Sequence, residues 1–100
     1  MNKLKLLVVD DEPDFAEFVA EVAQGMDFDV IFTDNPTEFA TLYHPDLNII
    51  VLDLFMPNID GIELLRFLSE CESNASIIFM SGKDKGVLHF HLFVCLFVYR

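Results

Sequence analysis

The sequence predicts an α/β fold: a doubly wound parallel sheet with helices on both faces. Three observations carry this. Four short apolar runs rich in strand formers recur along the chain, three segments with helical spacing lie between them, and capping or helix-start residues precede those segments. Strand–helix alternation of this kind requires crossovers on a parallel sheet, whose ligands bind beyond the carboxyl ends of the strands.

The elements follow in order. Leu6-Leu7-Val8-Val9 reads as a strand buried on both faces. Pro13 suits the first turn of a helix, with acids around it favouring the N-terminus. Phe15, Phe18, Val19 and Val22 fall at i, i+3, i+4 and i+7 and form the expected buried stripe, opposite Glu17, Glu21 and Gln24. Gly25 is the expected stop. Val30-Ile31-Phe32 is a second strand. Asn35-Pro36-Thr37-Glu38 then starts a helix, with Asn as cap, Pro at the first position and Glu three residues after the cap. Phe39, Leu42 and Tyr43 supply its buried side, and Pro45 ends it. Ile49-Ile50-Val51-Leu52 is the third strand. Asp60 caps a third helix with Glu63 reciprocating, and Ile62, Leu65 and Leu68 face inward. Ile77-Ile78-Phe79-Met80 is the fourth strand.

The chain has 100 residues, the size of one domain, and 53% of them are apolar, which excludes disorder by composition. Lys and Arg number 6 against 17 Asp and Glu, a formal charge of −11. Direct nucleic-acid binding, which needs a basic face, is therefore not expected, whereas a bound cation is compatible. No stretch reaches the ~20 apolar residues of a membrane span, and the apolar N-terminal run is too short for a signal peptide. Cys71 and Cys95 lack motif spacing. Together these features lead us to expect a cytoplasmic protein without disulfides.

One compositional break stands out. All 17 acids lie at or before Asp84, and residues 87–99 are apolar apart from His89 and His91.

The polar groups at the strand ends carry the chemistry. Asp10 and Asp11 follow the first strand, Asp53 the third and Ser81 the fourth. If the first and third strands are neighbours, three carboxylates share one pocket. They would repel one another, and a divalent cation would relieve that repulsion. Mg²⁺ suits such hard oxygen ligands and takes one or two carboxylates beside phosphate oxygens. The remaining carboxylate is then available to attack a phosphoryl donor and form an aspartyl phosphate, with the Ser81 hydroxyl donating to a phosphoryl oxygen.

Val8-Val9-Asp10-Asp11-Glu12-Pro13, then Val51-Leu52-Asp53-Leu54-Phe55-Met56-Pro57-Asn58-Ile59-Asp60-Gly61, then Ile77-Ile78-Phe79-Met80-Ser81-Gly82 together resemble the response-regulator receiver domain. The resemblance covers residues 1–86, leaving 87–100 as an atypical apolar tail. It implies a CheY-like, flavodoxin-like sheet with strand order 2-1-3-4-5. It further implies Asp53 as phosphoacceptor, Asp10 and Asp11 as metal-site acids, the backbone carbonyl of Phe55 as a further ligand to Mg²⁺, and Ser81 as the switch hydroxyl. The implied partner is a sensor histidine kinase or a phosphotransfer protein, and the implied role is a signalling module rather than an enzyme. Residues 81–89 are also similar to receivers attached to cyclic-di-GMP phosphodiesterase domains.

The family pattern of a Lys-Pro pair after a fifth strand, followed by a fifth helix, has no counterpart here. Lys83 and Lys85 read as solvated loop charges. The C-terminal end is therefore expected to lack the fifth βα unit, as a truncated or altered receiver or one with a divergent tail. The few residues after Met80 are too short for a parallel crossover, which takes about a dozen. The tail is left to fold back antiparallel or to form an apolar helix, and exposed it would be a dimer contact or an aggregation site. A phosphorylation-incompetent interaction module, or a nonfunctional fragment of a longer response regulator, is the alternative function.

Other sites fit less well. An EF-hand aligned on Gly61 puts Met56 first and Phe67 twelfth, where ligands are needed. A dehalogenase-type phosphatase would need its second Asp at Phe55. His89 and His91 have no third metal ligand in reach of the pattern.

Overall fold

The computed structural model describes residues 3–53, 61–83 and 91–98. The elements run β1 (Lys5–Val9), α1 (Pro13–Gly25), β2 (Asp29–Thr33), a 3-10 turn (Pro36–Glu38), α2 (Phe39–Leu42), β3 (Ile49–Asp53), α3 (Gly61–Glu70), β4 (Ser76–Lys83) and β5 (His91–Val98). They form one sheet in the order β2-β1-β3-β4-β5. The first four strands are parallel, as the alternation predicts, with Val8 opposite Phe32 and Val51, and Val51 opposite Ile78.

Both faces of the sheet are used, with the period of two that a strand imposes. Leu7, Val9, Ile50, Leu52, Ile77 and Phe79 point to one side, where they meet Phe39, Leu47, Leu64 and Leu68. Leu6, Val8 and Val51 point to the other, against Ala16 and Ala23 of α1. This explains the unbroken apolar runs: a strand covered on both faces has no polar side to show.

Three helix expectations change. In α1 the buried residues are Ala16, Ala20 and Ala23, while Phe15 and Val19 are half-buried. Phe18 and Val22 stand 57% and 49% exposed. The apolar residues of α1 cover more of its circumference than one packed face, and the small side chains are the ones that let the helix lie close to the sheet. The helix ends at Gly25 as expected, but the left-handed residue beyond it is Asp27, at φ 70°.

The second helix is shorter than Asn35-to-Pro45 spacing predicts. Asn35 does cap it, accepting from Thr37 N at 3.1 Å. Glu38 does not close the capping box. Its Oε1 instead accepts from Thr33 Oγ1 at 2.5 Å, tying the turn back to the end of β2. The chain starts as a 3-10 turn, and the helix gives way to extended backbone at Tyr43, two residues before Pro45.

In α3 the buried pair is Leu64 and Leu68, at i and i+4. Leu64 was not among the residues expected to face inward. The expected cap Asp60 lies outside the described residues, as do the side chains of Ile62 and Leu65.

The largest departure is at the end of the sheet. β4 does not stop at Met80 but continues through Ser81, Gly82 and Lys83, so Lys83 is a strand residue and not a loop charge. Lys85 lies outside the described residues. β5 returns antiparallel beside β4, pairing Ser76 with Val98 and Lys83 with His91. Of the two conformations open to the tail, it takes the strand. The place beside β4 is thus filled by a hairpin-like return, which needs no crossover helix. Among the described residues no helix is long and apolar enough to cross a membrane.

Candidate functional site

The parallel pairing of β1 with β3 builds the site. Val9 lies opposite Leu52, so the next residues, Asp10 and Asp53, arrive side by side at the carboxyl edge of the sheet. Both are buried, at 1% exposure each, and Asp11 beside them is half-buried. Ligand oxygens of Asp10, Asp11 and Asp53 all lie within 4.8 Å of one another. Asp53 is the last residue of β3 rather than the first one after it, a shift of one position from the expected strand end.

Backbone contacts hold Asp10 in place. Its N–H donates to the Thr33 carbonyl at 3.2 Å, extending the β1–β2 ladder by one step. Its Oδ1 accepts from Glu12 N at 2.9 Å. That bond turns the chain from the strand into α1, which begins at Pro13. Pro13 has no N–H to leave unsatisfied in that first turn.

Thr33 is a residue that the sequence reading passed over. It is 6% exposed, and its hydroxyl donates to Glu38 and accepts from Asn35 N at 3.0 Å. A Thr closing an apolar strand, two residues before a capping Asn, was the available signal.

The fourth expected group is placed by its backbone alone. Met80 lies opposite Asp53, so Ser81 is the next position along β4, where it is paired with Phe93 of β5. It lies inside the strand instead of following it. Its hydroxyl, like the carbonyl of Phe55, falls outside what the structure describes.

Three carboxylates this close, two of them out of water, repel strongly in a medium of low dielectric. Their hard oxygens are a donor set suited to a divalent cation, and the cluster is able to hold a metal.

A doubly wound sheet with acids at its carboxyl edge is a flavodoxin-like fold with an acidic pocket. Comparison with known proteins narrows this class. The profile of the response regulator receiver domain matches residues 6–93. The DNA-binding response regulator MtrA of Mycolicibacterium smegmatis is 33% identical over 86 residues, which cover 83% of this chain and 36% of that protein. The transcriptional regulatory protein TrcR of Mycobacterium tuberculosis is 28% identical over 84 residues, covering 83% and 33%. Among solved structures, a response regulator from Colwellia psychrerythraea is 38% identical with a TM-score of 0.69, covering 88% of this chain and 70% of that one. The receiver domain of HemR from Leptospira biflexa, in its non-phosphorylated form, is 25% identical with a TM-score of 0.72, covering 79% and 64%. The chain belongs to the response regulator receiver domain family of two-component systems. It spans about a third of the length of the regulators MtrA and TrcR.

Proposed function

We propose that this chain is a phosphoacceptor module in which Asp53 takes a phosphoryl group from a sensor histidine kinase or a phosphotransfer protein. The observation that carries this is the meeting of Asp10, Asp11 and Asp53 within 4.8 Å at the sheet's carboxyl edge. Phosphoryl acceptance is the general function of the family to which the chain belongs.

The roles divide by position. Asp53, at the end of β3, is the nucleophile: a carboxylate oxygen bonds to phosphorus as the P–N bond of the donor's phosphohistidine breaks, its electron pair returning to the imidazole, which leaves an aspartyl phosphate. Asp10 and Asp11 hold Mg²⁺, together with Asp53 and the carbonyl of Phe55. When bound, Mg²⁺ neutralises charge on the transferring group. The Glu12 N–H orients Asp10 and so fixes where that charge sits. Ser81 supplies the hydroxyl that reads the phosphorylated state. The working compartment is the cytoplasm, and the chain acts as a signalling module rather than an enzyme. Residues 1–86 form the receiver, and residues 87–100, including β5, are a distinct apolar tail.

A second reading has its own support. Ser81 and Lys83 are engaged in the β4–β5 ladder, which ties up the segment through which a switch would act. On that reading the chain is an interaction module that is not phosphorylated.

One experiment separates them. The labelled chain is titrated with Mg²⁺, then with beryllofluoride as a phosphoryl mimic, and amide shifts are followed by NMR. Shifts centred on Asp10, Asp11, Asp53 and Ser81, abolished for beryllofluoride in Asp53→Asn, are the expected result. A dispersed spectrum that ignores both additions would leave the interaction module.

A further inference from the structure

The sheet has two outer edges, β2 and β5, and they differ in kind. β2 has five residues and begins with the exposed acid Asp29, with Asp27 before it and Asp34 just after it. Charge on a short edge strand is a standard guard against pairing with another chain. β5 has eight residues, His91–Val98, with no Pro, Gly, acid, Lys or Arg in its sequence. Among the described residues it is bonded on one side only, to β4.

An antiparallel strand bonded on one side directs the N–H and C=O of every second residue away from its neighbour. Those groups on β5 form a ready template for pairing with another strand. The complement of a row of alternating N–H and C=O groups is the same row reversed. A second β5, running antiparallel, supplies that row over an equal length.

Charge selects the same partner and the same place. Each copy carries −11, so two copies repel over most of their surfaces. All 17 acids lie at or before Asp84, which makes the segment containing β5 the longest stretch free of them. A two-fold contact at β5 keeps the acidic bodies at opposite ends of the pair.

We infer that the outer edge of β5 pairs antiparallel with β5 of a second copy, joining two five-stranded sheets into one across a two-fold axis. The contact is isologous, so it closes at two copies. Pairing of β5 with the β2 edge of the next copy would instead be head-to-tail and build an open ribbon. The five-residue length of β2 and its acids oppose that arrangement.

Sedimentation of the full chain across a wide dilution series, together with hydrogen exchange resolved amide by amide, tests this. The expected result is a mass that doubles and then stops rising with concentration. In the dimer, every amide of residues 91–98 is protected, including the alternate set that a one-sided strand leaves open. Three results would overturn the inference: a monomer at all concentrations, growth past two copies, or a dimer in which alternate amides of β5 still exchange freely.

Discussion

The N–H of Glu12 donates to Oδ1 of Asp10 at 2.9 Å, so the residue that follows β1 also receives the first turn of the chain into α1. A buried acid is thereby held at the carboxyl edge, within reach of Asp11 and Asp53. Structure and charge are joined at one side chain, and the predictions below separate the two.

Asp10→Asn keeps an Oδ1 acceptor for Glu12 and removes one negative charge from the cluster. Without divalent cations, the variant is expected to be more stable than the parent, by up to about 3–4 kcal/mol for each neighbouring carboxylate, the scale of like-charge repulsion at this separation with an effective dielectric near 20. Added Mg²⁺ should stabilise the parent by mass action and the variant far less. Urea unfolding in chelator and in Mg²⁺ measures both.

Helical spacing alone places both Leu68 and Phe18 on a buried face, and only Leu68 is buried. Leu68 is fully buried at 0% exposure, and Phe18 is 57% exposed. Leu68→Ala should cost about 2–5 kcal/mol, from lost burial and the cavity left behind. Phe18→Ser should stay within about 0.5 kcal/mol. Chemical denaturation of the two variants side by side checks the order, and a reversed order would contradict the packing of α1.

Ala20 is 1% exposed on the face that α1 presents to the sheet. Ala20→Leu slightly lowers helix propensity and inserts three carbons into a close contact. The expected outcome is a loss of about 1–3 kcal/mol, set by overpacking, with the small loss of propensity adding to it. Thermal unfolding followed by circular dichroism would show a lowered midpoint. A raised midpoint would mean that the helix lies farther from the sheet.

Thr33→Val conserves shape and removes the hydroxyl that bonds Glu38 and Asn35. A loss of about 1–3 kcal/mol is expected, because the bond to Glu38 is charge-assisted and the Asn35 N–H loses its acceptor. Glu38→Gln, which keeps an acceptor in place, should cost less. Equal costs would assign the effect to the charge of the Glu38 carboxylate, and no cost for Glu38→Gln would assign it to the hydroxyl's bond with Asn35.

How much of this was legible before the structure differs from element to element. The runs at residues 6–9 and 49–52 marked their strands because burial on both faces leaves a continuous apolar signal. Asp10, Asp11 and Asp53 could be picked out because each stands at the end of such a run. Their meeting depended on β1 and β3 being neighbours, a matter of sheet order that lies beyond local pattern.

Tertiary packing decided the rest. Phe15, Phe18, Val19, Val22 and the alanines of α1 all satisfy helical spacing. Only the sheet beneath selected the alanines, because the smallest side chains allow the closest approach. Glu38 stands where a capping box would use it, yet Thr33 at the end of β2 claims its carboxylate. Residues 91–98 were open to strand or helix by composition. The free edge of β4 made them a strand, since unpaired backbone groups on that edge are satisfied by a neighbour of either direction and an antiparallel return needs no crossover. The sequence by itself determined which residues were apolar, which were acidic and where the chain had to turn. The three-dimensional structure decided which of several adequate faces was buried and which strands became neighbours, because those choices are settled by contacts between residues far apart along the chain.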